Sequence, residues 1–350
     1  MRIKRRLPVL FGFLLFVAAV ALVVFLRKHA PPEPARLLPG ADGFVYLNLK
    51  WMRYTDIAGK IPQVHHDPEY EQFIQATGFE FERDLKEAAV AIHYASPANG
   101  PETRFSYVFS AKIDGDRFRA YLKQLAASTE EYRSVTIYNI PLEGRILRVA
   151  ILGVDTVAVS NHNDPVVIRG IIDRSRKLAS PFGGPALLRQ FYKHVPLSNP
   201  LTGMTLAWAI FRVPAPDATG GGPMNPAPYP LASQPGTSVV GSISASPFPS
   251  VQQMDFLAVR NIHFRAEAFT PDEQAAQQLT EQADSYLGLF RSAEISVGTK
   301  GADPDIQKSI ESLKIEQKKD RAVLTATVPV ELIRKLVAQA PREIGPQSRQ

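Results

Sequence analysis

From Leu7 to Leu26 the chain carries no charge and almost no polar group. At a helical rise of about 1.5 Å per residue these 20 residues span roughly 30 Å, the thickness of a bilayer's hydrocarbon core. Leu7, Phe11, Leu15, Val20 and Leu26 mark its length, and no polar face remains for packing as a soluble helix. A cleaved leader would have a shorter apolar region ending in small residues. This run ends in Arg27-Lys28, so the pattern predicts an uncleaved membrane-spanning helix.

Beyond it the pattern changes to short alternations. Phe44–Leu49, Ala88–Tyr94 and Arg104–Ile113 read as strands, the last with Phe105, Tyr107 and Phe109 on one face. Tyr132–Asn139, Ile146–Leu152, Thr156–Ser160 and Met204–Val213 follow as strands, then regions near Met254–Val259, His263–Phe269, Ser312–Gln317 and Ala322–Thr327. Helical spacing appears after Asp67-Pro68, after Asp114-Gly115-Asp116, after Asp164-Pro165, around Pro185–His194, after Thr270-Pro271, after Asp303-Pro304 and from Pro329. Most of these helices open on a capping acid or hydroxyl with proline or an acid in the first turn.

Two stretches break the pattern. Residues 29–38 are proline-rich and predict an extended spacer. Pro214 to Ser250 is rich in Pro, Gly, Ser and Ala, with Asp217 as its one charge. It is expected to be a flexible insertion, with a short strand at Val239-Val240 and a candidate partner-contact set in Met224, Tyr229 and Phe248.

The fold class is therefore α+β. An N-terminal transmembrane helix (1–28) precedes the spacer (29–38). Two lobes of antiparallel sheet follow (39–200 and 201–340), each with helices packed on one face, and then a disordered tail (341–350). Both lobes run strand, helix, strands, proline-initiated helix, and Ile168-Arg169 matches Ile333-Arg334 in place, so a duplication is a candidate reading.

Charge sharpens the anchor. The formal charge is +6. Arg2, Lys4, Arg5 and Arg6 before the apolar run, with Arg27 and Lys28 after it, account for all of that excess. The remaining chain is neutral, so the basic balance gives no support to nucleic-acid binding. The flanks instead suit anionic lipid headgroups. The heavier N-terminal cluster places the N-terminus inside and the body outside the cytoplasm, periplasmic or extracellular. With no cysteine, disulfides, thiolate metal sites and cysteine nucleophiles are excluded.

Candidate chemistry is sparse. His65-His66-Asp67 is the densest metal-like group, yet it has no third ligand at metal spacing and Asp67 is placed to cap a helix. Asp114 with Asp116, and Asp303 with Asp305, also read as caps. Glu80, Glu82, Arg83, Asp84 and Lys86 read as a solvated face, and Gly220-Gly221-Gly222 lacks the context of a phosphate loop. Trp51, Trp208, Tyr46, Tyr54 and Phe211 read as core, with a groove between lobes as the alternative. No catalytic residue, cofactor or metal site is assigned.

The opening Leu38-Pro39-Gly40-Ala41-Asp42-Gly43-Phe44-Val45-Tyr46-Leu47 resembles that of uncharacterised bacterial membrane-anchored envelope proteins with duplicated α+β lobes. The resemblance implies a cytoplasmic-membrane anchor and an extracytoplasmic body, and carries no site residues. The expected function is a non-enzymatic binding or scaffold module of the bacterial envelope, with the bilayer at residues 7–26 and an envelope protein as partners. The alternative is a metal-independent hydrolase acting on envelope material.

Overall fold

A computed structural model describes residues 30–54, 66–96, 102–177, 184–196, 198, 204–213, 236–247, 259–296 and 304–339. The predicted anchor lies outside these residues, and no described helix is long and apolar enough to cross a membrane.

The fold is built on one antiparallel sheet of twelve strands. In chain order they are β1 (Gly43–Asn48), β2 (Leu85–His93), β3 (Arg104–Ala111), β4 (Ser128–Tyr132), β5 (Val135–Leu142), β6 (Arg145–Ile151), β7 (Thr156–Ser160), β8 (Met204–Arg212), β9 (Ser238–Pro247), β10 (Val259–Phe269), β11 (Lys314–Gln317) and β12 (Arg321–Pro329). Their spatial order is β11-β12-β10-β9-β8-β1-β2-β3-β7-β6-β5-β4. The two lobes expected from the sequence are thus halves of one sheet, joined where β1 pairs with β2 on one side and β8 on the other. Counting outward from that joint, the third strand of each half leads into a helix, Gly115–Leu125 or Glu273–Ser296. The chain then returns to lie antiparallel beside that third strand.

Helices cover both faces, which corrects the one-face expectation. The strands near the joint are apolar at consecutive positions, as in Leu206–Phe211, so neither face can be left to water. On the first face, Phe44 and Tyr46 of β1 line up with Ala91 and Ala89 of β2 and with Ile210 and Trp208 of β8. They are covered by the helices Glu33–Leu37, Val166–Ser175 and Ala186–Phe191. On the second face, Phe118 and Leu122 pack on Tyr138, Val149 and Val157. There Leu279 also packs on Val239 and Ala268, and Ile333 packs beside Ile262 and Phe264.

Several local expectations change. The proline-rich stretch is no extended spacer at its C-terminal end. Glu33–Leu37 is a short helix with Pro34 early in its first turn, where a missing N–H costs nothing, and Ala35, Leu37 and Leu38 are buried in the first-face core. The strand expected over Tyr132–Asn139 is broken: Tyr132 ends β4, and a tight turn leads into its hairpin partner β5. Arg133 and Ser134 both adopt positive φ there (49° and 59°). The low-complexity insertion contains all of β9, which lies between β8 and β10. The outermost strands, Ser-Thr-Glu-Glu-Tyr and Lys-Ile-Glu-Gln, are short and charged, a composition that discourages edge-to-edge association.

A buried ionic group fastens the segment after Ala186–Phe191 to the second half. Glu267 is almost fully buried and pairs with Arg321 at 3.0 Å and with Arg265. His194 lies 3.1 Å from Arg321, and its ring sits tilted against that of Phe269, 4.5 Å between centroids.

Truncating Phe44, which has no exposed surface, should destabilise the whole sheet. Phe44→Ala is expected to cost about 3–5 kcal/mol by denaturant unfolding, with both halves affected together.

Candidate functional site

The anchor residues Leu7, Phe11, Leu15, Val20 and Leu26, and the flanking Arg2, Lys4, Arg5, Arg6, Arg27 and Lys28, lie outside the described residues. So do Met224, Tyr229, Phe248, His65 and Asp303. Asp67 caps its helix as expected, Oδ1 accepting the Tyr70 N–H at 2.8 Å. Asp114 does the same for Asp116 and Arg117. Asp305 pairs with Lys335 at 2.8 Å. The aromatic set divides: Tyr46 stacks on Trp208 in the first-face core, whereas Trp51 packs with Ile243 and Phe264 on the second.

The described residues bring one metal-like group together, and it is not the one the sequence spacing suggested. His66 meets Glu80 and Glu82, and one potential ligand atom from each lies within 4.8 Å of the others. The helix Pro68–Thr77 and the short helix Phe81–Asp84 hold these residues. Their common support is aromatic, with Phe79 buried and touching Phe73, Phe81 and Phe118. Each member also has a partner outside the group. His66 Nδ1 meets Glu71 Oε1 at 3.1 Å, Tyr70 donates to Glu82 Oε2 at 2.7 Å, and Arg83 donates to Glu80 Oε2 at 2.9 Å. Burial pushes Glu82 up, but the Tyr70 hydroxyl, a backbone contact and His66 outweigh it and hold the carboxyl below its usual range. Burial and Glu82 push the Tyr70 phenol up to about 12, so it stays a donor. Asp84 is buried rather than part of a solvated face. It accepts from the Glu80 N–H at 3.0 Å and from Arg83.

A second polar group lies on the first face, at inward positions that periodicity would assign to apolar residues. His93 Nε2 is 3.2 Å from Ser106 Oγ, which is 3.0 Å from Ser160 Oγ. Ser160 Oγ accepts the His162 N–H at 3.2 Å, and the His162 ring lies 5.1 Å from that of His93. His162 Nδ1 in turn accepts the Asp164 N–H at 3.1 Å. Nucleophile and base are in contact here, but Ser106 has no exposed surface and shares its hydroxyl with Ser160. The arrangement ties the ends of β2, β3 and β7 together. Sequence reading missed it because His93, Ser106 and Ser160 share no motif. Their signal is polarity at core-facing positions of otherwise apolar strands.

Burial, with a smaller push from His162, lowers His93 from 6.5 to about 4. The unfolded chain therefore binds a proton that the folded chain refuses. The stability this neutral ring contributes is complete above its unfolded value and is lost as pH falls from about 6.5 towards 4. The loss should reach about 3 kcal/mol in pH-dependent denaturant unfolding, and His93→Gln should remove that part of the pH slope.

No family model and no curated protein matches the chain. Among solved structures it is similar to crystal form III of TP0453, at 10% identity and a TM-score of 0.39 over 88% of this chain and 99% of that one. Crystal form IV gives 9% identity and a TM-score of 0.38 over 89% and 99%. Likeness at this level carries no functional argument.

Proposed function

We propose that the chain is a single-pass protein of the cytoplasmic membrane, with its N-terminus inside and its sheet-built body outside. Its role is that of a non-enzymatic binding or scaffold module of the bacterial envelope. The observation that carries this reading is the uncharged run Leu7–Leu26 with its cationic flanks, followed closely by a folded body. The helix that begins the described body at Glu33 is docked in the core. Only Arg27–Pro32 separate it from the apolar run, a reach of roughly 20 Å at most. A body held so near a bilayer would present its surface to envelope partners rather than extend far from the membrane.

The resemblance to membrane-anchored envelope proteins with duplicated lobes belongs to this same reading. The matching order of the first four strands outward from the joint in each half, β1-β2-β3-β7 and β8-β9-β10-β12, supports the duplicated build. The opening motif has structural work in this fold: Leu38 is buried, and Asp42 accepts the Tyr94 N–H at 3.0 Å. Partner contact is assigned to Met224, Tyr229 and Phe248. The hydrolase alternative draws on the Ser106–His93 contact, and the complete burial of Ser106 weighs against it.

Reporter fusions test the placement. An enzyme active only outside the cytoplasm, fused to the C-terminus, should give signal, and a cytoplasm-only reporter should give none. The opposite pair of results would reverse the orientation, and a chain released by carbonate washing would refute insertion. For partner contact, residues 214–235 should be deleted and Phe248→Ala introduced while β9 is kept, since removing β9 would split the sheet. Loss of an envelope crosslink from a folded deletion variant is the expected result. Crosslinks identical to wild type would exclude that segment as the contact.

A further inference from the structure

Carboxylates crowd many surfaces without binding anything, and the group around His66 differs by having an imidazole at its centre. A carboxylate can only accept, so Glu71 keeps a hydrogen on Nδ1, and Nε2 is the ring nitrogen whose proton a metal ion would displace. Nε2 faces Glu82 Oε1 at 3.6 Å. Two ligands of a tetrahedral zinc ion, each bonded at about 2.0–2.1 Å, stand about 3.4 Å apart. Two outer contacts fall on the atoms other than the approaching pair, Nδ1 of His66 and Oε2 of Glu82, and Arg83 holds Glu80 through Oε2. An outer partner for every ligand, with carboxylate on the second ring nitrogen, is how protein metal sites orient their ligands. His66 is also set in place by the Tyr70 ring, edge-on at 4.6 Å, and its side chain is only 15% exposed.

We propose that His66 through Nε2, Glu82 through Oε1 and a carboxylate oxygen of Glu80 bind one divalent transition ion of the zinc class. One nitrogen and two carboxylate oxygens suit zinc better than calcium or magnesium, which prefer all-oxygen shells. Three protein ligands leave a fourth position for water. The ion would also relieve the repulsion between Glu80 and Glu82 and pin the Pro68–Thr77 helix to the turn that precedes β2. The proposal is independent of the membrane reading, and each can fail without the other.

The test is a calorimetric titration of the untagged full-length protein in detergent with zinc chloride, with circular dichroism to confirm that each variant is folded. One zinc per chain is expected. His66→Ala and Glu82→Gln should each weaken binding more than about tenfold. Glu71→Gln, which touches only the far ring nitrogen, should weaken it by roughly ten- to a hundredfold. His65→Ala should bind as the wild type does. Absence of saturable uptake by the folded wild type would overturn the proposal. So would zinc bound by His66→Ala with undiminished affinity, or a loss in His65→Ala equal to that in His66→Ala.

Discussion

The pairing of β1 with β8 is the contact on which the rest of the fold depends. Without it the chain would be two sheets, each with an open edge next to its most apolar strands. With it, Phe44, Tyr46, Ile210 and Trp208 form one continuous surface at the middle of the first face. The residues at this joint are chosen for close approach. A side chain at Gly43 would place a Cβ 3.2 Å from the Cβ of Phe211, so glycine lets the first residue of β1 lie against β8. Asp42 serves both sides at once: its carbonyl accepts from Arg212 N–H at 2.8 Å and its carboxylate from Tyr94 N–H. The sequence Ala41-Asp42-Gly43 before an alternating strand is thus the starting clamp of the whole sheet.

Placing the joint at the centre leaves the liabilities at the rims. Both outermost strands are short and charged, and neither offers an apolar edge. The centre carries a different cost, because both of its faces must be covered. The first-face cover is supplied partly from Glu33–Leu37, a helix that precedes every strand. This couples the start of the body to its core, so the segment nearest the proposed anchor is held by the same packing that holds the sheet.

Much of this was legible in the sequence where one physical rule acts alone. The caps at Asp67 and Asp114 follow from short acceptor side chains ahead of a helical run. The alternation Phe105, Tyr107, Phe109 gives β3 its faces. What escaped was decided by tertiary context. Ser128–Glu131 is polar throughout and becomes part of a strand because β5 offers it a hydrogen-bonding edge. Arg133-Ser134 carries no Asn-Gly signal, though it makes the same tight turn. Ser238–Pro247 looks like the low-complexity stretch around it, yet small residues such as Gly241 and Ser242 fit between two close-packed neighbours, β8 and β10. The convergence of His66 with Glu80 and Glu82 depends on how one helix folds back on the next turn, and residue spacing does not carry that information.

Native-state hydrogen exchange on the folded protein tests the central claim most directly, because it reads the joint residue by residue. If β1 and β8 join two halves into one cooperative sheet, their amides exchange among the slowest in the molecule. Both halves then open only in the same global unfolding event, at one common free energy. Rapid exchange in Phe44–Leu47, with the two halves opening at separate free energies, would contradict the account.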